Sequence, residues 1–76
     1  MITFYIGDYV KAETNLLDLV KRGDAGIIVE VETHPELIII HWKSGDAEGI
    51  NTTVRKEYIR KIPKKEAMAI IKKGEE

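Results

Sequence analysis

Hydrophobic and polar residues alternate in short runs along this chain, and the alternation predicts five β-strands. Turn-forming residues lie between the runs, among them Gly7-Asp8 and the polar, glycine-bearing segment 44–49. After the fourth run, Lys56-Glu57-Tyr58 is typical of a single 3₁₀ turn. The predicted strands cover residues 9–13, 25–33, 36–43, 50–55 and 59–62.

A helix is predicted near the C-terminal end of the chain. Ala67, Ile70 and Ile71 recur at the i, i+3, i+4 spacing that gives a helix one apolar stripe. Pro63 suits the first helical position, and Gly74 suits the residue that follows the last turn. The rest of the predicted helix covers residues 64–73.

Residues 14–24 form a long connection between the first two strands. Thr14 or Asn15 can cap a helical turn and Gly23 can end one, so we expect a loop with one or two helical turns. The apolar residues of this loop are expected to close one end of the core; they are Leu16, Leu17, Leu19 and Val20.

The second and third strands are predicted to fold back on each other through residues 33–36. Pro35 lies in that turn, where its missing N–H costs nothing. In the second strand, alternation places Ile27, Val29 and Val31 on the core side. The opposite side then carries Ile28, Glu30 and Glu32.

The third strand is apolar on both of its faces. Alternation directs one set of its side chains into the core, namely Ile38, Ile40 and Trp42. The other set points away from the core and consists of Leu37, Ile39 and His41. Either the stripe of the C-terminal helix or a partner must cover this outer row. The predicted contact face is Ile28, Leu37, Ile39 and His41.

Length and composition narrow the possible classes of protein. With 76 residues the chain forms one domain, which is marginally stable alone and gains stability from any partner. The absence of cysteine excludes a disulfide framework and thiolate chemistry. No apolar run approaches the roughly 20 residues of a membrane span, and the first residues do not show the basic region followed by an apolar run that is typical of a secretory signal. We therefore expect a soluble, cytoplasmic protein with no membrane partner.

The net charge is −1, but the charges are unevenly distributed. Residues 1–50 carry four basic and nine acidic side chains, whereas residues 55–73 carry eight basic and two acidic ones. A basic segment with an aromatic ring can bind nucleic acid, and it is equally typical of a solvated strand edge or of head-to-tail self-association. The candidate nucleic-acid residues, called the basic strip below, are Arg55, Lys56, Tyr58, Arg60, Lys61, Lys64 and Lys65.

Candidate catalytic and metal-binding residues are few. The chain has no nucleophile elbow, no glycine-rich phosphate loop and no evidently buried pair of carboxylates. His34 and His41 are the two histidines, and a zinc site would need both of them together with carboxylates such as Glu32. We therefore expect no catalytic residue, no metal and no cofactor, and we interpret the protein as a non-enzyme.

Four segments of the chain resemble the small SH3-like β-barrel superfamily. They are Gly7-Asp8-Tyr9-Val10, the GIIVEV of residues 26–31, the IIIHWKSG of residues 38–45 and the YIRKI of residues 58–62. In this pattern the chain is similar to KOW-type and Tudor-like barrels and to the short SH3-like proteins of tailed bacteriophages. The resemblance implies a mainly β fold, with a five-stranded SH3-like barrel at residues 1–62 and a C-terminal α-helix at residues 63–76, together in one domain.

The chain departs from peptide-binding SH3 domains, because it lacks the acidic, aromatic-rich first loop and the paired tryptophans that grip proline-rich ligands. The outer apolar row favours a non-enzymatic protein-interaction or assembly module, whose partner is another protein or a second copy in an oligomer. The resemblance implies a phage origin, and hence a location in the host cytoplasm or the virion. Two alternatives are a nucleic-acid-binding barrel that uses the basic strip, and an accessory subunit that docks on a larger complex.

Overall fold

A computed structural model describes residues 3–16, 19–32 and 37–75. The described chain is mainly β, with five antiparallel strands in one sheet and a C-terminal helix. The strands are β1 (Tyr9–Ala12), β2 (Ala25–Val31), β3 (Leu37–Trp42), β4 (Asn51–Arg55) and β5 (Ile59–Lys61). A 3₁₀ turn at Lys56–Tyr58 leads into β5, and α1 covers Lys64–Glu75. The five predicted strands, the 3₁₀ turn and the C-terminal helix are confirmed in type and order, whereas the predicted turn at residues 33–36 lies outside the described residues.

The strand order in the sheet is β4-β3-β2-β1-β5, so the last strand lies beside the first. Val10 pairs with Gly26 of β2 on one side and with Lys61 of β5 on the other. Within the described residues, β4 and β5 are the two edge strands of this sheet. The long-range pairing of β1 with β5 brings the residues before β1 close to the end of β5, where the Lys61 ammonium donates to the Thr3 carbonyl.

The core lies on one face of the sheet, called the inner face below. Ile38, Ile40 and Trp42 are fully buried on this face, which confirms the alternation predicted for the third strand. The indole N–H of Trp42 donates to the Thr52 hydroxyl oxygen at 2.7 Å, so its polar atom is satisfied inside the protein. The buried residues of the core are Phe4, Val10, Ala12, Leu16, Val20, Ile28, Ile38, Ile40, Trp42, Ala47, Val54 and Ile59.

A β-bulge reverses the predicted orientation of the first half of β2. Ile28 pairs with Ile40, but the next pair along is Glu30 with Ile39, so Val29 is an extra residue in the ladder. Ile28 is 1% exposed in the core, whereas Val29 is 38% exposed. The predictions that Ile28 faces outward and that Ile27 and Val29 face the core are therefore wrong, because Ile27 pairs with His41 on the opposite face. Beyond the bulge, Val31 packs against the core as predicted.

The connection between β1 and β2 has a different local structure from the one expected. Leu16 and Val20 form an isolated bridge, in which each backbone N–H donates to the carbonyl of the other at 2.7 and 3.1 Å. The Asn15 side-chain oxygen accepts the backbone N–H of Arg22 at 2.8 Å instead of capping a helix. No helical turn occurs in the described part of this connection, and Leu17 lies outside it. Leu16 and Val20 enter the core as predicted, whereas Leu19 is exposed.

Helix α1 begins directly after Pro63, whose carbonyl accepts the Ala67 N–H at 3.1 Å. The helix continues through Gly74, so the prediction that Gly74 follows its last turn is wrong. A glycine inside a helix costs about 1 kcal/mol relative to alanine, which lowers stability there without requiring the helix to end. The salt bridge between Lys11 and Glu66 (3.1 Å) links the first turn of the helix to β1.

The predicted stripe of α1 packs against the sheet. Ala67 is fully buried together with Ala25 and Ile62, and Ile70 and Ile71 pack against this small cluster. Tyr9 also packs there. Since Ala25 and Tyr9 lie on the face opposite the core, α1 covers one part of that second face.

Candidate protein-interaction surface

The face of the sheet opposite the core is called the outer face, and cross-strand pairs define its members. His41 pairs with Ile27 of β2 and Asn51 of β4. Ile39 pairs with Glu30 and Thr53 in the same way. Leu37 pairs with Arg55 at the far end of β3. Each of these side chains therefore lies on the outer face, opposite the face that carries Ile38, Ile40 and Trp42.

Helix α1 covers only the part of the outer face formed by β1, β5 and the start of β2. Among the described residues, its apolar contacts are with Tyr9, Ala25 and Ile62. The β3 side chains of the outer face are half-buried, and Val29 is exposed beside them. This uncovered region is called the open outer face below; it consists of Ile27, Val29, Leu37, Ile39 and His41.

The structure revises the membership of the predicted contact face. Leu37, Ile39 and His41 lie together on the outer face, as the alternation of β3 predicts. Ile28 does not join them, because the bulge turns its side chain into the core. Ile27 and Val29 were missed and take its place. That any of these residues contacts a partner stays a prediction.

One local feature of the sequence could have revealed the true orientation of β2. Gly26 is buried on the inner face, where a Cβ atom would lie 2.5 Å from the Ile40 Cγ2 atom and 3.0 Å from the Trp42 ring. A glycine inside a strand commonly marks such a close approach or a nearby bulge. Placing Gly26 on the core side puts Ile27 on the outer face and Ile28 in the core, as observed.

A groove separates the open outer face from helix α1. It has a volume of about 430 Å³ and includes Tyr9 and His41 from the sheet and Met68 and Ile71 from the helix. His41 is held by its Nδ1–H, which donates to the Asn51 side-chain oxygen at 2.6 Å. The imidazole is thus a polar boundary between two apolar regions of the outer face.

The turn at residues 5–8 lies next to the bulge of β2. The Gly7 N–H donates to the carbonyl of Ile28 at 2.8 Å, immediately before Val29 in the chain. Ile6, one residue before Gly7, is 68% exposed. Exposed Ile6 and Val29 therefore lie at the same end of the β1–β2 pair.

Asp8 stabilises this turn. Its carboxylate accepts the backbone N–H of Tyr5 at 2.9 Å and lies 3.0 Å from the Lys61 ammonium, which also donates to the Thr3 carbonyl at 3.2 Å. Partial burial raises the pKa of Asp8, but the Tyr5 N–H and the Lys61 charge outweigh it, so the pKa is lowered overall. The folded protein therefore favours the ionised carboxylate.

Acidic neighbours partly neutralise the basic strip. Arg60 pairs with Glu13 at 3.3 Å, and Lys61 pairs with Asp8 at 3.0 Å. Arg55 lies 3.3 Å from Glu57 in an exposed pair. Ion pairs within the described ranges include none with Lys56, Lys64 or Lys65, and Tyr58 is 40% exposed. The strip therefore offers fewer free cations than the sequence indicates.

Two further findings concern residues 3–16, 19–32 and 37–75. No three histidine, aspartate or glutamate side chains in these ranges form a group that could hold a metal ion, and His34 lies outside them. No helix in the same ranges combines the length and the hydropathy that crossing a membrane requires.

Comparison of the chain with protein-family models, with curated proteins and with solved structures finds no match.

Proposed function

We propose that this chain is a non-enzymatic protein-interaction or assembly module with an SH3-like barrel fold, and that it binds its partner through the open outer face. The observation that carries the proposal is the position of α1, which leaves the β3 side of the outer face uncovered. The barrel is supported by the strand order β4-β3-β2-β1-β5 and by the 3₁₀ turn before β5. A phage protein or an accessory subunit of a larger complex would use the same surface.

The chemistry of this surface suits a modest interface. Full burial of an exposed valine, leucine or isoleucine contributes roughly 1.5–3 kcal/mol. At most about a third of the Leu37 and Ile39 side chains remains exposed, so each would contribute at most about a third of that range, and Val29, which is 38% exposed, slightly more. Several such side chains are needed, because association costs at least about 4 kcal/mol of lost freedom before any net affinity appears.

Ile39→Lys tests this proposal, since it places a charge at the centre of the open outer face. Ala69→Lys is the matched control, because it adds the same charge at an exposed position of α1. Light scattering after size exclusion, at low and high salt, measures self-association, and affinity capture from the source cells identifies other partners. We expect Ile39→Lys to lose an oligomer or a captured protein that both wild type and Ala69→Lys retain.

Circular dichroism must show that Ile39→Lys is folded before the comparison is interpreted. A folded Ile39→Lys that keeps every association of the wild type would contradict the proposal. Ile39→Thr, which keeps a β-branched side chain and removes most of its apolar surface, provides a second variant if lysine unfolds the sheet.

The second candidate function is nucleic-acid binding through the remaining cations of the basic strip. Its support is the exposure of Lys64, Lys65 and Tyr58. Binding through a few phosphate contacts is weak and falls steeply with salt. Fluorescence anisotropy with a mixed oligonucleotide pool should then show affinity at low salt only, and Lys64→Glu combined with Lys65→Glu should abolish it.

A further inference from the structure

The two edges of the sheet differ in how well they are protected. An exposed edge strand offers unpaired backbone groups to another strand, and proteins commonly block it with prolines, charges or short strands. β5 is three residues long, has Pro63 two residues after its end, and carries Arg60 and Lys61 in ion pairs. β4 has five residues, contains no proline or glycine, and has its single charge, Arg55, at its end.

No described segment pairs with the edge of β4 that faces away from β3. A groove of about 530 Å³ includes Thr53–Arg55 of β4 and Leu37 of β3, together with residues 14–16 and Tyr58. This edge is therefore accessible along the C-terminal half of the strand.

The register of the sheet shows which backbone groups of β4 are free. The Trp42 N–H donates to the Ile50 carbonyl at 3.1 Å, so this position is a hydrogen-bonded pair of the β3–β4 ladder. Such pairs alternate along an antiparallel ladder. Thr52 and Val54 therefore direct their backbone groups toward β3. The outward-pointing N–H and C=O groups belong to Asn51, Thr53 and Arg55.

We propose that β4 pairs antiparallel with β4 of a second copy of this chain, with the two Thr53 residues opposite each other. The inference rests on the proposed assembly function and names its partner. β4 is self-complementary in this register: Arg55 meets the neutral Asn51 of the other copy, and Thr52 meets Val54, so no like charges are opposed.

This pairing also joins the two open outer faces. Thr53 is the cross-strand partner of Ile39, so two copies paired at Thr53 bring their Ile39 residues onto one continuous outer face. The backbone hydrogen bonds determine the register and stabilise the pair. The two Ile39 residues are three strand spacings apart, about 14 Å, so the two open outer faces lie side by side and do not pack against each other.

Thr53→Pro tests the pairing directly. It removes the backbone N–H of Thr53, which points away from β3, and it leaves every hydrogen bond between β4 and β3 in place. Thr53→Val is the matched control, since it keeps the N–H and the β-branched shape. We expect light scattering to give twice the 8.6 kDa chain mass for wild type and Thr53→Val, and a single chain mass for Thr53→Pro. A monomeric wild type, or a dimeric Thr53→Pro, would overturn the inference.

Amide hydrogen exchange over a dilution series gives a second readout that needs no substitution. The amides of Asn51, Thr53 and Arg55 should lose protection on dilution, whereas those of Thr52 and Val54 should stay protected at every concentration. Equal protection of the two sets of amides in a dimeric sample would also overturn the inference.

The two variants together separate this inference from the proposed function. A dimer that is lost in Ile39→Lys but kept in Thr53→Pro would retain the proposed function and reject edge pairing. A dimer that is lost in Thr53→Pro but kept in Ile39→Lys would retain edge pairing and reject the open outer face.

Discussion

Truncating Ile28 should destabilise the protein far more than truncating Val29, although the two residues are neighbours in β2. Ile28 is 1% exposed and pairs with Ile40 inside the core, whereas Val29 is the extra residue of the bulge and is 38% exposed. The two substitutions therefore test the observed orientation of the strand against strict alternation, which places Val29 inside and Ile28 outside.

The expected magnitudes follow from the burial of each side chain. Ile28→Ala removes buried carbon atoms and leaves a cavity, which lowers the free energy of unfolding by about 2–5 kcal/mol. Val29→Ala removes partly solvated methyl groups at a position without a regular partner, and we expect a loss below about 1 kcal/mol. A chain of this size has a total stability of roughly 4–11 kcal/mol, so the first loss is a large share of it.

Urea unfolding followed by tryptophan fluorescence measures both values. Trp42 is the single tryptophan and is fully buried, so its emission changes when the core opens. If Ile28→Ala fails to fold, Ile28→Val gives a smaller expected loss of about 0.5–1.5 kcal/mol. A loss for Val29→Ala equal to or greater than that for Ile28→Ala would refute the bulge and restore the strictly alternating strand.

Two further predictions concern the core and the N-terminal turn. Gly26→Ala should lower the free energy of unfolding by about 1–3 kcal/mol in the same urea assay, because its new Cβ collides with Ile40 and Trp42; an unchanged midpoint would contradict this close approach. Because folding lowers the pKa of Asp8, its ionised carboxylate stabilises the protein above the unfolded value of about 3.8, and this stabilisation is lost as the pH falls through the lower folded value. Asp8→Asn should therefore be less stable than wild type by about 1 kcal/mol at neutral pH. If the difference in stability between wild type and Asp8→Asn does not shrink in acid, the Asp8–Lys61 interaction is rejected as its cause.

Among the features of the site, the orientation of β3 follows from its sequence. Two apolar sets alternate from Leu37 to Trp42, and the set that contains the bulky tryptophan occupies the core. The other set must then lie on the outer face, because successive side chains of a regular strand point to opposite sides. The apolar stripe of α1 is likewise a local property, since its spacing depends only on the helical period.

The sequence alone determines where the strands, the 3₁₀ turn and the helix lie, because local periodicity and turn residues specify them. The bulge at Val29 depends on how β2 pairs with β3, and the docking of α1 depends on which part of the sheet offers a complementary surface. The ion pair of Lys11 with Glu66 joins residues far apart in the chain and appears only when the helix packs on β1. The tertiary structure therefore decides which apolar residues remain uncovered and which cations are neutralised, since both depend on contacts between distant segments.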